Sequence, residues 1–153
     1  MLPTPTRVKL AAAGADGPTP LNAFDNALLR AGIGNLNLVR VSSILPPGCV
    51  YDPHFAVPPG SLTPTAYGHC TSSIPGEEIA AAIGVGFSSD DYGVIMEFEG
   101  ACRRDDAAER VGLMVREAFS ARGKRLKELR VEAASQRVSA GHAAVVAAAV
   151  MWY

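Results

Sequence analysis

A chain of 153 residues is long enough to bury one core and too short for two substantial ones, so a single folding unit is expected. Fourteen basic against fifteen acidic side chains leave a formal net charge of -1 with no long run of either sign, which argues against nucleic acid as a partner. The three cysteines, Cys49, Cys70 and Cys102, are widely spaced and lack CxxC or Cys/His clustering, which argues against a zinc site and fits a cytoplasmic setting. The N-terminus lacks the apolar core of a signal peptide. The most apolar run, Ala143 to Tyr153, is much shorter than the roughly 20 residues a spanning helix needs, so no membrane segment is expected.

In chain order, Arg7 to Ala13 predicts a strand ending in a turn over Gly14–Pro18. Thr19 before Pro20 reads as an N-cap with proline at the first helical position, and Leu21, Phe24, Leu28 and Ala31 recur at helical spacing up to Gly32. Asn35 to Ile44 predicts a strand that carries the pair Ser42-Ser43. Five prolines between Leu45 and Ser61 predict an irregular excursion, and an excursion of that length usually has a role. Leu62 to Thr71 and Tyr92 to Phe98 read as strands, with Ser88–Asp91 as a turn before the second. Ile79 to Phe87 is ambiguous between helix and strand; a strand paired with Tyr92 to Phe98 is the expectation. A helix opens at Asp105-Asp106 and closes near Gly123 after a basic last turn. Two strands, Leu126 to Val138 and His142 to Tyr153, complete an α+β fold without regular β-α alternation.

Gly32-Ile33-Gly34-Asn35-Leu36-Asn37 begins like a dinucleotide fingerprint, but Asn37 stands in place of the third glycine and the order is helix, turn, strand. The histidines His54, His69 and His142 are scattered, so neither a metal site nor a catalytic triad follows from their spacing. Glu77, Glu78, Asp90 and Asp91 read as solvated turn charges, and Arg122 to Glu132 as an exposed helix end and strand edge. A Ser-Ser pair by itself is common in loops.

The run TPLNAFDNALLRAGIGNLNLVRVSSILPP, Thr19 to Pro47, nevertheless resembles the pyruvoyl-dependent arginine decarboxylases in its PLNAFD, AGIGN-x-NL and SSI-x-PP segments. The likeness continues through PTAYG at Pro64, PGE at Pro75, IMEFEG at Ile95 and the WY close at Tyr153. The first ten residues and Gly48 to Val57 are the least family-like, and their roles stay open.

The resemblance implies a four-layer αββα sandwich and a chain that cuts itself into residues 1–42 and 43–153. In the family's chemistry Ser43 Oγ attacks the carbonyl of Ser42, the ester eliminates to dehydroalanine, and hydrolysis leaves a pyruvoyl group at the new N-terminus. A decarboxylase needs an electron sink, and a ketone that condenses with the substrate amine supplies one without metal or pyridoxal phosphate. By the same resemblance Asn37 assists processing, Glu97 is the proton donor and Asp25 binds the guanidinium group. Gly34, Leu36, Ser42 and Ile44 then line the substrate pocket.

Read from the residues alone, Glu97 and Glu99 are two exposed strand carboxylates sharing a face, and Asp25 caps the first helical turn opposite Asn22. A shared face would make each glutamate disfavour ionisation of the other, as a proton donor requires. The reaction that the resemblance implies is L-arginine to agmatine and CO2, in a homotrimer or dimer of trimers with active sites between subunits. Polyamine synthesis and acid resistance both suit that reaction. A decarboxylase of another amino acid and an unprocessed structural or regulatory subunit are the alternatives.

Overall fold

The computed structural model describes residues 1–89 and 91–153. Strand β1 (Arg7–Gly17) leads to helix α1 (Pro20–Arg30), followed by the short strands β2 (Asn37–Arg40), β3 (Ile44–Leu45) and β4 (Val50–Tyr51). After them come β5 (Leu62–Ser72), β6 (Glu78–Phe87), β7 (Gly93–Gly100), helix α2 (Arg104–Ala121), β8 (Glu128–Arg137) and β9 (His142–Trp152). One sheet has the order β2-β5-β9-β1-β4 and the other β3-β7-β6-β8.

The two sheets pack face to face. Val8, Ala66, Val145, Ala147 and Ala149 of the first meet Ile79, Ala81, Ile83, Val85 and Ile95 of the second. Ala23 and Ala27 of α1 rest on Ala144 and Val146 of the first sheet, while Val111, Val115 and Phe119 of α2 cover Ala80, Ala82 and Val94 of the second. The architecture is the expected αββα sandwich. It explains the alanine-rich composition of β6 and β9. These central strands are covered on both faces, so Ala143 to Met151 are all buried and the alternation of a half-exposed strand disappears.

Thr19 caps α1 as expected, its hydroxyl accepting from the Asn22 N–H. The Tyr92–Phe98 expectation also holds, because β6 and β7 form an antiparallel pair from Ala80↔Gly100 to Gly86↔Val94.

Four expectations are corrected. The turn expected at Gly14–Pro18 is the second half of β1, which pairs with β9 through Gly17↔His142. Its glycines serve close packing: a Cβ on Gly17 would lie 2.3 Å from the Ala23 nitrogen. The strand expected from Asn35 to Ile44 is two short strands in different sheets, with the serines in the crossover between them. Helix α2 has no basic residue in its last turn; Arg122 is the C-cap and donates to the Ala118 carbonyl, and Gly123 follows with φ 61°. Of the expected turn charges, Glu78 lies in β6 and pairs with Arg137, Glu77 accepts from the Ser72 hydroxyl, and Asp91 pairs with Lys124; Asp90 lies outside the described residues.

Among the described residues no helix is long and apolar enough to cross a membrane. The least family-like segment, Gly48 to Val57, has structural contacts: Val50 and Tyr51 pair with Arg7 and Val8, and Arg130 stacks 3.9 Å from the Tyr51 ring centroid.

Candidate active site

The site begins at the crossover from β2 to β3. Parallel pairing of β2 with β5 runs to Arg40↔Thr65, and the Val41 N–H extends it by donating to the Thr65 carbonyl at 3.1 Å. Two residues later the chain has joined the other sheet, where the Ser43 carbonyl accepts from the Ile95 N–H at 2.6 Å. The Ser42–Ser43 peptide therefore bridges the edges of the two sheets, with Ser42 exposed and Ser43 half-buried. Neither serine has a positive φ, so the peptide carries no left-handed strain. After β3, the Pro46-Pro47-Gly48 turn closes with the Cys49 N–H donating to the Pro46 carbonyl and Gly48 at φ 76°.

Strand β7 links this bridge to the carboxylates. Its alternation puts Val94, Met96 and Phe98 toward α2 and Ile95 into the space between the sheets. Glu97 and Glu99 follow on the Ile95 side, so Glu97 lies about 7 Å along the strand from the residue that holds Ser43. Both glutamates stand against Gly68 of β5. A Cβ there would be 2.6 Å from Glu99 Oε2 and 3.1 Å from Glu97 Cβ, so only a glycine leaves room for the pair.

Burial pushes the Glu97 carboxyl above the ordinary glutamate range; Arg40 opposes the shift and Glu99 adds to it. The shared face expected from the sequence is thus present, although desolvation is the larger cause. Arg40 Nη2 lies 3.8 Å from Glu97 Oε1, a contact that sequence reasoning missed. Alternation could have flagged it, because Arg40 sits two positions before Ser42.

The remaining expected residues lie elsewhere. Asp25 is exposed on α1, on the outer side of the first sheet, and the first turn of that helix holds no acid, so it is not a capping residue. Gly34 follows the same helix, packed against Leu29, and Leu36 joins Ile33 and Phe55 on that outer face. Asn37 begins β2, and its side-chain amide donates to the Gly60 carbonyl at 2.8 Å. Asn37 and Arg40 are the two ends of β2, about 10 Å apart, and Ser42 lies beyond Arg40. Within one chain, Asn37 is therefore held away from the scissile peptide. Ile44 pairs with Val94 at the edge of the second sheet and is 43% exposed.

Within one chain the expected site residues thus fall into two groups. Ser42, Ser43, Ile44 and Glu97 gather at the crossover, while Asp25, Gly34 and Leu36 gather on the far side of the first sheet. An αββα sandwich with a serine pair bridging its sheets, and further along β7 a carboxyl whose pKa burial raises, has the makings of a carbon–carbon lyase that builds its own electron sink. The family model for pyruvoyl-dependent arginine decarboxylase matches residues 8–153. A protein of that description from Pyrococcus horikoshii is 45% identical over 152 residues, covering 97% of this chain and 96% of its own. Those from Methanocaldococcus jannaschii and Thermococcus kodakarensis are each 46% identical and cover 97% of this chain, which in turn spans 91% and 96% of theirs. The chain belongs to the pyruvoyl-dependent arginine decarboxylase family.

Proposed function

We propose that this chain cleaves itself between Ser42 and Ser43 and decarboxylates L-arginine to agmatine. The observation that carries this reading is the crossover itself: Ser43 is held through its carbonyl by Ile95, two residues before Glu97 on the same strand. Ser43 also fits the prosthetic group. Its carbonyl has a fixed donor, its side is half-open to solvent, and the segment that precedes the cut stays bound through β1, which pairs with β9 from Arg7↔Trp152 to Gly17↔His142. The pyruvoyl ketone supplies the electron sink for the carbanion left when CO2 departs.

The chain's own residues do the rest. Glu97, whose pKa burial raises above the ordinary glutamate range, returns a proton to the α-carbon. Asp25 offers a carboxylate able to accept two parallel hydrogen bonds from a guanidinium, with Gly34, Leu36, Ser42 and Ile44 forming the walls. Because the two groups lie on opposite sides of the first sheet, each active site joins Glu97 of one subunit to Asp25 of another, in a homotrimer or a dimer of trimers. Asn37 acts on processing in the same way, from a neighbouring copy. A single domain carries the activity, and the cytoplasm is its compartment, which the three free thiols suit.

Intact mass and steady-state kinetics test the proposal. Purified protein should give fragments 1–42 and 43–153 with agmatine as product, whereas Ser43→Ala, lacking the attacking hydroxyl, should stay whole and inactive. Cleavage of Ser43→Ala at that bond would overturn the serine mechanism.

A further inference from the structure

Arg40 is the one basic side chain that reaches Glu97 among the described ion pairs. It does not hang free. Its Nη2 donates to the Tyr67 carbonyl at 2.8 Å, and its guanidinium lies 4.8 Å from the Tyr67 ring centroid. The Tyr67 ring is itself fixed among neighbours, 5.9 Å from His69 and 6.4 Å from Phe24, centroid to centroid. Tyr67 directly precedes Gly68, the residue whose missing side chain admits Glu97 and Glu99. A planar guanidinium with one edge on a carbonyl and its face on a ring has little freedom left, so its position relative to Glu97 is set by β5.

We propose that Arg40 is a positioning residue for the proton donor: clamped on Tyr67, it holds its guanidinium against the Glu97 carboxyl and so orients it. This inference rests on the donor role proposed for Glu97. The charged and titratable groups around Glu97 are Arg40 from β2, Glu99 from its own strand and, beside Glu99, the Cys70 thiol of β5. The residues of β6 opposite Glu97 and Glu99 are Ile83 and Ala81, which carry no charge. Arg40 is therefore the group that opposes burial and Glu99, and without it Glu97 would give up its proton less readily. It belongs to the segment before the proposed cut, so the N-terminal fragment would keep a role in catalysis after cleavage.

The test compares wild type with Arg40→Met, Arg40→Lys and Tyr67→Leu. Each is checked for cleavage by mass, then assayed for the pH dependence of kcat/KM. Glu97 is titrated separately by NMR of carboxyl-labelled protein, with Glu97→Gln to assign the signal. In Arg40→Met the Glu97 titration should move to higher pH by a few tenths of a unit, the range a half-exposed ion pair supports. The alkaline limb of kcat/KM should move with it, since a general acid fails as it ionises. Arg40→Lys, which keeps the charge without the planar fork, should fall between, and Tyr67→Leu should reproduce part of the shift. An unmoved Glu97 titration in processed Arg40→Met overturns the proposal at its contact. A titration that moves while the kcat/KM profile stays fixed overturns it at its parent, by showing that Glu97 is not the donor.

Discussion

Glu97 combines a mostly apolar strand setting with partial burial, and its carboxyl is displaced toward the neutral form. Two consequences can be measured. A processed Glu97→Gln protein should lose on the order of 10²-fold or more in turnover, the scale expected for a positioned general acid. Its stability should change in the opposite sense. A carboxyl whose folded pKa is raised costs nothing while protonated and destabilises as pH rises from the ordinary value of 4.5 through the folded one. Glu97→Gln should therefore melt like wild type in acid and above it at neutral pH, as scanning calorimetry would register. A variant that melts lower at neutral pH would contradict the burial cost.

At the level of elements, the contact between β5 and β7 decides whether the carboxylates keep their places. Gly68 has no Cβ, and adding one would press on Glu97 Cβ and Glu99 Oε2 together. Gly68→Ala should leave cleavage intact, because Ser43 is held from β7 and not from β5. Turnover should nevertheless fall about 10- to 100-fold, since moving an acid by a fraction of its hydrogen-bond length is costly. Rapid-quench measurement of the chemical step on cleaved Gly68→Ala would check this, and a full-speed variant would show that the two glutamates have room to move.

For the whole molecule, the separation of Asp25 from Glu97 by the first sheet makes complementation the informative experiment. Asp25→Asn removes one partner of a charge pair, so kcat/KM for arginine should drop roughly 30-fold or more while cleavage is spared. Glu97→Gln is impaired for a different reason. Co-expressed, the two variants should form mixed assemblies in which about a quarter of the interfaces join an intact Asp25 to an intact Glu97, and activity should return in that proportion. Separately purified and unmixed samples should stay impaired. Absence of recovery in verified mixed assemblies would place both residues in one subunit's site.

Local chemistry determined much by itself: the Thr19-Pro20 start of α1, the turn glycine at Gly123 and the shared face of Glu97 and Glu99 each follow from one or two neighbouring residues, whereas β6 was ambiguous between helix and strand until its pairing with β7 decided it. The serine pair was legible as a motif, and its resemblance to a family was carried by contiguous residues. Tertiary structure alone decided where those residues stand. A propensity reading saw one strand from Asn35 to Ile44 because Leu36, Leu38, Val39 and Val41 favour extended backbone; that two sheets divide the segment depends on Thr65 and Ile95, which are distant in sequence and supply the hydrogen bonds on either side. For the same reason Gly14 and Gly17 read as a turn although β1 pairs with β9 through both of them, with β8 packed against Gly14 and α1 against Gly17. Arg40 carried only the faint mark of standing two positions before Ser42, since its partners Tyr67 and Glu97 meet it only when β2 lies beside β5 and the sheets close face to face.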